Sequence, residues 1–217
     1  MKKAVVLGGT GMVGSQLIKL LIEDKEYSEI VSLVRRPSGI LDPKLIEIVV
    51  NFDQFDNWNH FITGDVLFST LGTTIAQAKT KAAQFRVDYT YQFTVAQIAA
   101  QNEIQKYVLV SSAGANANSK TFYLNMKGKL ETAIQTLPFK VISIIRPGQL
   151  DGNRTRKRTG EKIVLTLMYF FNKLGLFKHY KPIQADKVAL AMIHAARKDK
   201  SAIYTLDQVF ELANINQ

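Results

Sequence analysis

Ser111 and Ser112 close the apolar run Tyr107–Val110, Tyr123 comes eleven residues after Ser112, and Lys127 four residues after that. The i,i+4 spacing puts the phenol and the ammonium on one helical face. A phenol of unperturbed pKa about 10 is a poor proton shuttle at neutral pH. A nearby ammonium stabilises the phenolate, so Tyr123 can give or take a proton. Ser112 would hold a substrate oxygen and steady the charge that develops on it; Ser111 is the alternative serine. Tyr-x-x-x-Lys recurs by chance on many helices, so its weight comes from what surrounds it.

Near the start stands Gly9-Thr10-Gly11-Met12-Val13-Gly14, with Gly8 supplying the variant spacing Gly8, Gly11, Gly14. A buried strand precedes it and an amphipathic helix follows, the context a dinucleotide fingerprint requires. One glycine permits the turn, one lets the backbone approach a pyrophosphate, and one lets helix pack on strand. The helix N-terminus then offers free N–H groups and partial positive charge. Gly9 and Gly14-Ser15 also fit the skeleton of a P-loop, but Ser15 stands where its lysine should be, which argues against nucleotide hydrolysis. About 20 residues past the loop, where a ribose-reading acid would favour NAD, the chain reads Leu33-Val34-Arg35-Arg36. Two guanidinium groups favour the 2′-phosphate of NADP (NADPH) over the free hydroxyl of NAD.

These residues need a frame. Apolar runs at 4–7, 30–34, 46–49, 66–69, 107–110 and 141–145 show little polar alternation, as in strands buried on both faces. Helical stretches are expected near 12–23, 82–101 and 124–137, and strand–helix alternation predicts an α/β, Rossmann-like, doubly wound parallel sheet. Its strand ends are where ligands bind, and Ser111 and Ser112 sit at one of them. After residue 150 the pattern changes: a polar, basic segment over 151–162, an aromatic stretch over 163–177, a helix over 185–197, a short strand at 203–206 and a last helical turn. The chain is expected to be one domain, with a cofactor-binding core over 1–150 and a C-terminal substrate-side elaboration over 151–217.

Composition narrows the classes. The 217 residues carry 28 basic and 18 acidic side chains, a net charge of +10, and 47% hydrophobic residues, which excludes a disordered chain. The absence of cysteine excludes disulfides, thiol nucleophiles and iron–sulfur sites. His60, His179 and His194 have no ligand spacing, so no metal is expected. There is no Gly-x-Ser-x-Gly elbow for a serine hydrolase. The basic cluster Arg154–Arg158 reads as a solvated loop, and nucleic acid is not the expected partner. The aromatic stretch reads as core or subunit packing, which leaves a homo-oligomer open. Glu23, Asp24 and Glu26 read as a solvated helix end. The apolar run after Met1-Lys2-Lys3 stops at four residues and no run reaches the length of a membrane span, so a cytoplasmic protein without a leader or a transmembrane segment is expected.

Taken as a set, Gly8–Gly14, Leu71-Gly72-Thr73-Thr74, Val110–Gly114, Tyr123 with Lys127, and Arg146-Pro147-Gly148 resemble the short-chain dehydrogenase/reductase superfamily. The run Phe122-Tyr123-Leu124 through Lys127-Gly128-Lys129-Leu130-Glu131 resembles its atypical NAD(P)-binding branch, the Tat-interacting oxidoreductase group, over about residues 1–150. The resemblance implies that Gly8, Gly9, Thr10, Gly11, Met12, Val13 and Gly14 wrap the pyrophosphate and that Arg35 and Arg36 read the adenosine ribose. Asp53 would lie near the adenine, and Leu71, Gly72, Thr73 and Ser111 would line the cofactor. Lys127 would also reach the nicotinamide ribose, and Pro147 and Gly148 would flank the nicotinamide. Ser112, Tyr123 and Lys127 would be catalytic. Two departures stand out: Leu-Gly-Thr replaces Asn-Ala-Gly after the fourth strand, and Val87-Asp88 occupies the place of an asparagine in the next helix, which leaves the proton relay beyond Lys127 open. The expected function is NADP(H)-dependent carbonyl reduction, or the reverse oxidation, on a small molecule. The alternatives are an NADP(H)-sensing regulator with little turnover, and epimerase or dehydratase chemistry.

Overall fold

The structure, a computed structural model, describes residues 1–151 and 182–215. Strands β1 (Lys2–Leu7), β2 (Tyr27–Val34), β3 (Leu45–Val49), β4 (Val66–Ser69), β5 (Lys106–Val110), β6 (Val141–Arg146) and β9 (Ala202–Thr205) form a parallel sheet of order β3-β2-β1-β4-β5-β6-β9. A minor parallel pair joins β7 (Leu150–Asp151) to β8 (Ile183–Gln184). From β1 the chain winds outward through β2 and β3, then returns to β4 on the other side of β1. That reversal opens a crevice between the C-terminal ends of β1 and β4.

Alternation along the strands divides the core into two layers. Val6, Phe68 and Val108 face α1 (Met12–Glu23), α6 (Ala185–Ala196) and α7 (Asp207–Ala213), where they meet Leu17, Leu21, Val188 and Met192. Val5, Leu67 and Leu109 face the opposite layer of α4 (Gln92–Gln101) and α5 (Phe122–Ile134), with Val95, Ala99, Leu130 and Ile134. Side chains of successive strand residues point to opposite faces, and both faces are covered, which is why these strands read as unbroken apolar runs.

Three expectations change. After the short helix α2 (Ile75–Ala78), the helix foreseen over 82–101 is two helices, α3 (Lys81–Phe85) and α4, joined by a π-helical turn over Arg86–Tyr91. That wider turn carries the buried Asp88, whose carbonyl accepts a 2.7 Å hydrogen bond from the Gln92 side-chain amide. Helix α5 ends at Ile134 rather than 137, because Pro138 disfavours helical backbone at the residue before it. Asp24 and Glu26 are ion-paired rather than solvated: Asp24 binds Arg197 at 2.8 Å, and Glu26 binds Lys2 at 2.6 Å and Arg197 at 2.8 Å. Glu23 is exposed. The basic cluster at 154–158, the aromatic stretch over 163–177 and His179 lie outside the described residues.

Candidate functional site

The glycine loop closes the crevice from below. Gly8 has φ +88°, a left-handed conformation that favours glycine, and a Cβ there would stand 2.6 Å from the Leu71 backbone nitrogen. The Gly11 N–H donates to the Gly8 carbonyl at 2.9 Å, and a Cβ on Gly14 would overlap that same carbonyl. Helix α1 begins after Gly11 with no side chain capping it, so its first-turn N–H groups are left for an anion. Thr70 Oγ1 donates to the carbonyls of Leu7 (2.9 Å) and Gly8 (3.1 Å), which ties the loop to the end of β4. These features fit a pyrophosphate.

Beyond β4, the segment Leu71-Gly72-Thr73 leads to Asp88 and, through it, to Lys127 of α5. The Thr73 N–H donates to Asp88 Oδ2 at 2.8 Å, and Asp88 Oδ1 lies 3.4 Å from Lys127 Nζ. Asp88 is 1% and Lys127 3% exposed, whereas Tyr123, one turn earlier on α5, is 37% exposed. Lys127 is therefore a buried charge one helical turn from a solvent-accessible phenol. Burial pushes the Asp88 carboxyl above its ordinary value, against the pull of the Lys127 ammonium and the Thr73 N–H. Gln84 and Gln92 buttress the turn: Gln84 donates to the Thr73 carbonyl at 3.2 Å, and Gln92 accepts from the buried Ser69 hydroxyl at 2.7 Å.

The segment after β5 is held from both sides. The Ser111 N–H bonds the Ile145 carbonyl and the Ala113 N–H bonds the Pro147 carbonyl, which draws the serines to Pro147-Gly148. Ser111 is buried and its hydroxyl lacks a partner among the described residues, while Ser112 is half-buried and donates to the Ala113 carbonyl at 3.3 Å. Gly128 lets this segment lie on α5, since a Cβ there would overlap the backbone of Asn116 and Ala117.

At the far end, Arg35 and Arg36 are exposed and have no hydrogen-bond or ion-pair partner among the described residues. Asp53 is bound by Arg86 at 3.0 Å and by the Tyr91 hydroxyl at 2.7 Å. Burial raises the Tyr91 hydroxyl above its ordinary value and Asp53 adds to the effect, while the charges of Arg86 and Arg35 oppose it.

Sequence reasoning left Asp88 without a role and missed Arg86, Gln84, Gln92 and the ion pair between the buried Glu131 and the half-buried Arg146. The one sequence signal for the first was the departure at Val87-Asp88, an acid in the place of the helix asparagine. Among the described residues no cluster of three or more His, Cys, Asp or Glu could hold a metal, and no helix is long and apolar enough to cross a membrane.

A family model described as HIM1 matches residues 58–181. Among similar chains is "Protein FMP52, mitochondrial" of Candida albicans, 32% identical over 96% of this chain and 97% of the relative. Its namesake in Saccharomyces cerevisiae is 34% identical (96% and 95%), and that in Meyerozyma guilliermondii 38% identical (89% and 85%). Those names overturn the expectation of a cytoplasmic protein, which rested on the lack of a recognisable leader and of an apolar run long enough for a membrane span. The solved structures share the fold. MoeE5 in complex with UDP-glucose and NAD aligns with TM-score 0.70 and 14% identity over 97% of this chain and 80% of that one. WbmH of Bordetella bronchiseptica in complex with NAD+ gives 0.71 and 16% over 94% and 76%. ADP-L-glycero-D-manno-heptose-6-epimerase of Helicobacter pylori gives 0.70 and 18% over 94% and 76%.

Proposed function

The chain belongs to the HIM1 family, and for it we propose a short-chain-dehydrogenase-type oxidoreductase that uses NADP(H) to interconvert a carbonyl and an alcohol on a small molecule. The observation that carries this reading is the half-exposed Tyr123 one helical turn from the buried Lys127, beside a glycine loop shaped for a pyrophosphate. NAD in the structures of similar fold supports a nicotinamide cofactor, and the uncommitted Arg35 and Arg36 support the phosphorylated form. Gly8, Gly11, Gly14 and the α1 N-terminus would hold its pyrophosphate, and Leu71–Thr73, Pro147 and Gly148 its nicotinamide half. The cofactor supplies or accepts the hydride.

The chain's own residues handle the proton. In reduction, Tyr123 donates its hydroxyl proton to the substrate oxygen, and Lys127 stabilises the phenolate left behind. Ser112 orients the same oxygen, with the buried Ser111 as the alternative donor. Residues 151–217 would contribute the substrate side. The names of the relatives support a mitochondrial location, which cell fractionation tests: recovery outside the organelle contradicts it. The functional reading is tested by mixing the protein with NADPH and a panel of aldehydes and ketones. Substrate-dependent loss of NADPH absorbance is expected. Tight cofactor binding with no consumption on any substrate refutes the reading and favours a regulatory role.

A second reading is epimerisation through transient oxidation, supported by the epimerases among the structures of similar fold. It would use the same Tyr123 and Lys127 and interconvert nucleotide sugars without net consumption of cofactor.

A further inference from the structure

The buried carboxylate under the proton pair is not a passive counterion. We propose that Asp88 is the positioning and counter-charge residue of Lys127, so that Tyr123 experiences the field of a bound ion pair rather than that of a lone cation. This rests on the reading of Tyr123 and Lys127 as the proton-transfer pair.

Three observations carry it. Asp88 sits in a π-helical turn, the kind of local widening that often marks a functional site. Its two oxygens are divided between Lys127 Nζ at 3.4 Å and the Thr73 N–H at 2.8 Å, so one carboxylate holds both the lysine and the segment after β4. The turn itself is braced by Gln92, which bonds the Asp88 carbonyl and the Ser69 hydroxyl. A buried carboxylate anchored by the Thr73 N–H limits where the ammonium can sit and cancels part of its charge, even across 3.4 Å.

The other titratable groups around α5 do not compete for this role. Glu131 is bound by Arg146 of β6, Arg86 of the same turn is bound by Asp53, and Lys81 of α3 lies over the Phe122 ring. Tyr89 stacks on Phe85 and Phe93, and Tyr91 donates to Asp53. Lys120 and Lys129 are exposed, and α4 carries no titratable residue.

The test is a titration of Tyr123 itself, read by NMR of the full chain labelled at the tyrosine ring and assigned with Tyr123→Phe. Asp88→Asn keeps the shape and an acceptor for the Thr73 N–H but removes the counter-charge. Its Tyr123 midpoint is expected to fall below that of the unsubstituted protein, because the nearby negative charge is gone. Lys127→Met is expected to move the midpoint up, and Asp88→Ser, a smaller neutral residue, to repeat the downward shift if the asparagine variant does not fold. An unmoved or raised midpoint in the folded Asp88 variant overturns the proposal. The titration needs no substrate: absent turnover with the predicted shift refutes the oxidoreductase reading alone, and turnover with an unmoved midpoint refutes the role of Asp88 alone.

Discussion

Replacing Lys127 by methionine should cost stability out of proportion to the loss of one side chain. The methionine fills much of the space but leaves the 1%-exposed Asp88 carboxylate with the backbone N–H of Thr73 as its remaining hydrogen-bond donor among the described residues. Removing one partner of a buried ion pair costs about 3–5 kcal/mol. The retained 2.8 Å hydrogen bond and the loose 3.4 Å contact to the lysine argue for the lower end, about 3 kcal/mol. For a domain of this size each kcal/mol is worth about 2–4 °C, so the expected fall in Tm is about 6–12 °C. Its pH dependence follows from the sign of the shift. Burial holds the folded-state pKa of Asp88 above the unfolded value, so its contribution to stability is fully present below the unfolded pKa and is lost as pH rises through the folded one. Lys127 opposes that shift, so without it the loss at neutral pH is larger. The gap between variant and unsubstituted protein should therefore narrow as pH falls from 7 toward about 4. Thermal denaturation by circular dichroism across this range is the assay, with Lys127→Met/Asp88→Asn as control, which should recover more than half of the loss. A Tm within about 2 °C for the single variant, or a double variant no more stable than the single, refutes the buried-pair reasoning.

Two further perturbations test the cofactor end. Arg35→Ala should weaken NADPH binding about tenfold, the loss of one charge-assisted phosphate contact, and leave NADH binding unchanged in calorimetric titration; equal effects on both would remove Arg35 from the 2′-phosphate. Gly14→Ala puts a methyl group into the Gly8 carbonyl, so fluorescence titration should show at least a tenfold loss of NADPH affinity and denaturation a stability loss of about 1–3 kcal/mol.

Much of this architecture was legible because strands covered on both faces announce themselves as short valine- and isoleucine-rich runs, as β1, β2, β4, β5 and β6 do; edge strand β3 was read from its apolar run 46–49 although Ile46 and Val49 are exposed. Edge strand β9 was weaker because Tyr204 and Thr205 are only half-buried. The glycine loop was legible because Gly8 and Gly14 answer local steric demands that no other residue meets. Asp88 and Arg86 were hidden for the opposite reason. A continuous helix over 82–101 would carry neither into its present contact, and only the π-helical turn, a tertiary accommodation, brings Asp88 to Lys127 and Arg86 to Asp53. Asp24 and Glu26 likewise looked solvated because Arg197, their partner, is more than 170 residues away in the chain.

The central claim is that Tyr123 moves the proton while the cofactor moves the hydride. Its most direct test is NADPH consumption, on the best carbonyl of a panel, by the unsubstituted protein and by Tyr123→Phe, with NADPH affinity measured on both. The account predicts turnover in the first, a loss of about 10²–10⁴-fold in the second, and equal cofactor affinity in the two. Turnover that survives the loss of the hydroxyl would contradict it.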